Sequence, residues 1–173
     1  EEPAAEGLSW SELDRRGDEH LKAGRFEEAI ADFDAAIALE QGLEAHHWRR
    51  GIAHYYAGRY ADGAAQFELH RTVNGNDVEN AAWHFLCTAR EKGVTNARNL
   101  LITVQRDGRI PMKEIQQLFA GKATTLDVLQ VAANHRAIVT VEENAIPGGA
   151  GAAGRGGVGA GGATGGGQHG DGG

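Results

Sequence analysis

Between residues 26 and 39 the apolar positions Phe26, Ala29, Ile30, Phe33, Ala36 and Ile37 follow the i, i+3, i+4, i+7 rhythm that gives a helix one apolar stripe. Residues 10–22 precede it with Leu13, Gly17, His20 and Leu21, and Ala23-Gly24-Arg25 supplies a tight turn between the two segments. The pattern predicts a helical hairpin. Residues 46–57 and 60–72 repeat it, with Ala57-Gly58-Arg59 copying the turn. A third hairpin follows the turn-forming link Val73-Asn74-Gly75-Asn76, where Asn76 or Asp77 can cap the next helix by accepting a backbone amide hydrogen bond. Its first helix runs to Lys92-Gly93, and its return helix is expected over 95–104, weakened by the poor helix formers Thr103 and Val104. Arg106-Asp107-Gly108-Arg109 then reads as a turn, and Pro111 suits the first turn of a helix ending near Phe119. Thr124 or Thr125 starts an apolar helix over 126–133.

The hairpins are copies in register. His20, Gly24, Arg25, Phe26, Ala29 and Phe33 return 34 residues later as His54, Gly58, Arg59, Tyr60, Gly63 and Phe67, and Gly17 returns as Gly51. Trp83 stands 35 residues after Trp48, a one-residue slip that the Asn-Gly-Asn loop absorbs. Small residues where helices touch and aromatics where they interlock, at this period, resemble the tetratricopeptide repeat over residues 10–93. The resemblance implies an all-α, TPR-like right-handed α-solenoid of about three helical hairpins over 9–105. An acidic flexible lead at 1–8 precedes it, and short C-terminal helices at 106–135 follow.

The order of three hairpins, a short helix containing Leu118-Phe119-Ala120-Gly121-Lys122, and a threonine-started apolar helix is similar to the bacterial new-lipoprotein-I type. In that family the repeats act as a noncatalytic adaptor outside the cytoplasm, and further helical pairs follow the equivalent of 126–133. Here the pattern gives way after Asn134 to Gly/Ala low complexity, so a truncated form or a translated noncoding extension is expected. A solenoid without closing repeats leaves an apolar helix face without a neighbour. Homodimerisation through the C-terminal helices, or marginal stability, is the expected consequence.

Composition sharpens this picture. The 173 residues include 26 glycines concentrated at the end, and their small side chains cannot offset the entropy of ordering the backbone. Residues 136–173 are therefore expected to be a disordered Gly/Ala-rich tail, and the β-branched run at 137–141 has no visible partner strand. A formal net charge of -7 argues against a nucleic-acid partner, whose phosphates demand basic contacts. No apolar run reaches the roughly 18 residues of a membrane-spanning helix, so direct membrane insertion is not expected. The single Cys87 cannot form an internal disulfide. The opening Glu-Glu-Pro, without an initiator methionine, fits a fragment or a mature form, and a processed exported or organellar protein is the expectation.

The resemblance also implies a concave surface lined by the first helix of each hairpin. Repeat position places near it Asp14 and Asp18 from the first hairpin, Trp48, Ile52, Tyr55 and Tyr56 from the second, and Trp83 and Cys87 from the third. Aromatic side chains give a bound peptide large contact area at low entropy cost, while Trp48 and Trp83 serve either that face or the core. Repeat modules that clamp an acidic terminal carboxylate use lysine, arginine and asparagine at these positions. Asp14 and Asp18 would repel such a tail, and Arg49 with Asn80 makes a poor clamp.

Other chemistries find less support. His46, His47, His54, His70 and His84 invite a metal, yet they form no i, i+4 pair beside a carboxylate, and His20 and His54 share a packing position. Residues 103–114 partly match a calcium loop through Asp107, Gly108, Ile110 and Glu114, but Thr103 and Gln105 replace its first acidic ligands. The glycine spacings at 149–154 and 157–162 mimic a dinucleotide fingerprint without the strand and helix that would use it. Cys87 lies one turn from His84 with no orienting acid or oxyanion donor, so it reads as a small buried side chain. The sequence points to a noncatalytic adaptor for a protein or peptide, with no cofactor and no metal. The alternatives are a structural homo-oligomerisation module and, with less support, a histidine-based metal-dependent protein.

Overall fold

The computed structural model describes residues 7–133. The expectations for residues 1–6, for the run at 137–141 and for the tail at 136–173 lie outside the described residues. The helices are α1 (Trp10–Lys22), α2 (Phe26–Leu39), α3 (Trp48–Tyr56), α4 (Tyr60–His70), α5 (Val78–Lys92), α6 (Val94–Asn99), α7 (Met112–Phe119) and α8 (Thr125–Ala133). Among the described residues there is no strand. The helices pack against neighbours in the chain, α1 on α2, α2 on α3, α3 on α4 and α4 on α5, while α5 also receives α6 and α7.

The first two hairpins are built by the same contacts. Gly24 and Gly58 take φ of +76° and +78°, the left-handed conformation that ends a helix cheaply only at glycine. The following arginines close the helix end, Arg25 N–H donating to the His20 carbonyl at 2.9 Å and Arg59 N–H to the His54 carbonyl at 2.8 Å. Gly17 and Gly51 then admit an aromatic ring: a Cβ on either would fall 2.6 Å from Phe33 or 2.7 Å from Phe67. Arg16 Nε donates to Asp32 at 2.7 Å, and its counterpart Arg50 donates through Nη1 to Gln66 at 2.8 Å. Leu21, Ala29, Ile30, Phe33, Ile52, Ala53 and Phe67 of the two hairpins form one continuous buried core with Cys87 of α5.

Two expected helices are corrected. The segment expected to run helically over 46–57 instead opens with a short 3-10 helix, Gln41–His46, and breaks at His47 before α3 begins. That 3-10 turn is held from α4, where Gln66 donates to the Glu44 carbonyl at 2.7 Å and His70 Nδ1 lies 2.9 Å from the Ala45 carbonyl. The return helix expected over 95–104 ends at Asn99, because β-branched residues there find a better use in extended chain. Ile102 and Val104 pack on Val78 and Ala81 of α5, with Met112 and Ile115 of α7 alongside. Phe85 and Phe119, with ring centroids 4.9 Å apart, complete the seating of α7.

The caps follow local chemistry. Ser9 and Glu12 form a reciprocal capping box on α1, and Asp77 accepts the Glu79 N–H at 3.0 Å at the start of α5. Asp107 reaches the same helix end from residues 101–110, accepting the Val78 N–H at 3.0 Å. Arg109 donates to Asp107 at 2.6 Å and to Asp77 at 2.7 Å, and pairs with Glu79. Thr124 and Asp127 exchange hydrogen bonds at the head of α8, so Thr124 is the residue that starts it.

Candidate functional site

A chain of aromatic rings crosses the hairpin boundaries. Phe26, at the start of α2, stacks on Tyr56, at the end of α3, with centroids 5.1 Å apart and planes 17° apart. Tyr56 meets Tyr55 and Trp83 edge-on at 5.3 and 6.1 Å, and Tyr55 meets Tyr60 and Trp83 at 5.6 and 5.5 Å. Beneath them Trp83 stacks on buried Phe67 at 6.2 Å, and the Arg90 guanidinium sits 4.6 Å over the Tyr60 ring. Edge-to-face and offset contacts of this kind hold rings rigidly, so little entropy is left to lose on binding. Tyr56 is 43 % exposed, and Phe26, Tyr55 and Trp83 are half-buried.

Of the residues expected at a binding face, the structure brings Tyr55, Tyr56 and Trp83 together. Trp48 lies on α3 two turns before Tyr55, half-buried against the core, with the Arg49 guanidinium 5.8 Å over its ring. Ile52 and Cys87 are corrected: both side chains are core, at 4 % and 0 % exposure, and neither offers a surface to a partner. Cys87 Sγ would lie 2.8 Å from a Cβ placed on Gly63, and burial pushes its thiol up to about 12, far from a reactive thiolate. Asp14 and Asp18 are tied down rather than presented. Asp14 lies 3.0 Å from both His47 Nε2 and Arg49 Nη2, while Asp18 meets Lys22 at 2.5 Å and Arg49 at 3.6 Å. The pairs to His47 and Arg49 pin α1 to the start of α3.

Phe26, Tyr60 and Arg90 complete the cluster and were not among the expected site residues. Phe26 and Tyr60 occupy the same repeat position after the turn, which marked them as packing residues. Arg90 lies seven residues after Trp83, two helical turns along the same stripe of α5.

The histidines serve packing. His20 Nδ1 accepts from Arg25 Nε at 2.8 Å and its Nε2 lies 3.5 Å from Asp32. In the second hairpin Arg59 is drawn to Glu27 and Gln66 replaces Asp32, so neither ring nitrogen of buried His54 has a partner among the described residues. Burial holds His54, His47 and His84 below the ordinary histidine value, the neutral ring being favoured in the folded chain. Among the described residues no group of three or more His, Cys, Asp or Glu side chains is placed to hold a metal ion. Asp107, the best candidate of the calcium-like loop, spends its oxygens on Arg109 and on Val78 N–H.

This gives a pH dependence with a definite sign. A histidine whose folded value lies below its unfolded value of 6.5 contributes stability above that pH and loses it as pH falls. Thermal melting should therefore move to lower temperature between pH 7.5 and 5.5. His54→Leu, which removes one proton acceptor, should flatten that slope. Equal slopes in both proteins would show that His54 does not stay neutral on folding.

No protein-family model matches the chain, and neither a curated protein nor a solved structure matches it. Among the described residues no helix is long and apolar enough to cross a membrane.

Proposed function

We propose that this chain is a noncatalytic adaptor of the tetratricopeptide type, a right-handed stack of helical hairpins that holds a partner protein or peptide on its aromatic face. The observation that carries this reading is the ring cluster joining α2, α3, α4 and α5, with Tyr56 at its surface. The matched turn, glycine–phenylalanine contact and arginine bond of the first two hairpins support the repeat assignment. Hot spots of protein interfaces are enriched in tryptophan, tyrosine and arginine held by surrounding packing, and Tyr56, Trp83 and Arg90 have that character.

Because Tyr56 is half out of the core, Tyr56→Ala should keep the melting temperature within a few degrees of wild type. Its affinity for a partner identified by capture on the wild-type chain should fall about tenfold or more, the loss of a typical hot spot. Unchanged affinity in the folded variant would remove this face from the function.

A second reading is homo-oligomerisation, favoured by Leu126 and Leu129 of α8 at 62 % and 56 % exposure. It requires a dimer in sedimentation that becomes monomeric in Leu126→Glu, Leu129→Glu. A monomer at every concentration would leave the adaptor reading alone.

A further inference from the structure

The link between α4 and α5 carries the chain's one Asn-Gly pair, Asn74-Gly75, and both residues are exposed. An asparagine followed by glycine can lose its amide without an enzyme. The next backbone nitrogen gives up its proton to solvent and attacks the side-chain carbonyl carbon, the amide nitrogen leaves as ammonia, and water opens the resulting five-membered imide to aspartate or isoaspartate. In a folded chain this requires access of water, an attacking N–H that no carbonyl holds, and no side chain crowding the attacking nitrogen. Asn74-Gly75 meets all three. The Asn74 N–H donates to the His70 carbonyl at 2.9 Å, whereas the Gly75 N–H has no hydrogen-bond partner among the described residues.

The two Asp-Gly pairs among the described residues, which react through the same imide, are protected. The Gly63 N–H after Asp62 is spent on the Arg59 carbonyl at 3.0 Å inside α4. Asp107, before Gly108, is held ionised by Arg109 and the Val78 N–H, and a bound carboxylate anion resists attack. At Asn74 the product changes a helix cap. Asn74 Nδ2 donates to Asp77 Oδ2 at 3.1 Å, and Asp77 caps α5 by accepting the Glu79 N–H at 3.0 Å. Loss of the amide removes that donor and sets a second carboxylate against the first, where Asp77, Glu79 and Asp107 already share Arg109. The Val78 and Glu79 N–H groups are already bonded to Asp107 and Asp77, so repulsion outweighs attraction to the helix end.

We propose that Asn74 is a site of spontaneous deamidation through an imide with Gly75, and that the acidic product loosens the cap of α5, the helix that carries Trp83. The modification needs no partner and stands without the aromatic face.

The test is ageing of the full chain at neutral pH in heavy-oxygen water until a urea-unfolded sample has lost the Asn74 amide, followed by peptide mass mapping and a methyl-transfer assay for isoaspartate. Residue 74 of the folded chain should take up heavy oxygen severalfold faster than Asn76, Asn80, Asn96 or Asn99, while Asp62-Gly63 and Asp107-Gly108 keep their normal linkage. Gly75→Ala should slow the uptake severalfold. A Cβ there meets the Arg71 carbonyl at 3.4 Å, an ordinary contact, so the variant should fold. Asn74→Asp, prepared without ageing, should melt several degrees below wild type and exchange the amides of 78–81 severalfold faster. An Asn74 that keeps its amide in the folded chain would overturn the proposal. So would undiminished uptake in folded Gly75→Ala, or an Asn74→Asp chain with wild-type melting and exchange.

Discussion

Phe67→Ala should lower the free energy of unfolding by about 3–5 kcal/mol, the range for truncating a buried aromatic ring. Phe67 is 1 % exposed, its ring fills the space that Gly51 leaves by lacking a Cβ, and it supports Trp83 from below. The loss is therefore a cavity at the point where the second hairpin closes and the third docks. Phe33→Ala should cost a similar amount at the equivalent contact with Gly17, since Phe33 is fully buried. The converse change, Gly51→Ala, pushes a methyl group into the ring and should cost about 1–3 kcal/mol by overpacking. Urea titrations of the three variants check this, and a Phe67→Ala midpoint close to wild type would show that the ring does not interlock the hairpins.

The second large effect lies at the other end. Asp107→Ala should cost about 2 kcal/mol, because Arg109 and the Val78 N–H hold its carboxyl down to about 2 against an ordinary 3.8. Its side chain is 4 % exposed while its main partner Arg109 is 48 % exposed, so solvent screens part of that interaction and the loss falls short of the full shift. A depressed carboxyl contributes its stability above the unfolded value of 3.8 and loses it as pH falls through about 2. The gap between wild type and Asp107→Ala should thus be full at pH 7 and narrow between pH 4 and 2. Hydrogen exchange at the first turn of α5 and along 101–110 reports it directly. Equal protection in both proteins at pH 7 would mean that residues 101–110 are held by Ile102 and Val104 alone.

The hairpins were legible because several signals coincided at each position. Gly24 and Gly58 mark turns, Gly17 and Gly51 mark close approach, and the apolar rhythm of 26–39 marks a stripe. Every one of these is local or repeats at one fixed period. The return helix of the third hairpin was misjudged because its fate depends on distant partners. Ile102 and Val104 leave the helix for Val78 and Ala81, and Asp107 reaches back to cap α5, contacts that no window around residue 100 contains. The late start of α3 has the same cause, since the 3-10 turn before it is held by Gln66 and His70 from another helix.

At the site, Tyr55, Tyr56 and Trp83 could be found from repeat position and residue type. Burial could not. Ile52 and Cys87 share the helices of the aromatic face, yet both side chains are buried in the core, Cys87 against the space that Gly63 leaves by lacking a Cβ. Asp14 and Asp18 stood at surface positions in the sequence, but their ion pairs to Arg49 and His47 depend on how the second hairpin packs against the first. Phe26 was visible only as a packing residue, because its stacking on Tyr56 joins two different hairpins.

The most direct test of partner docking is a hydrogen-exchange footprint of the full chain with and without a captured partner at saturation. Protection should gather on 52–60 and 83–90, around Tyr55, Tyr56, Trp83 and Arg90, and leave the exchange of 112–119 unchanged. Protection confined to other helices, with residues 52–60 and 83–90 exchanging as in the unbound protein, would contradict an aromatic docking face.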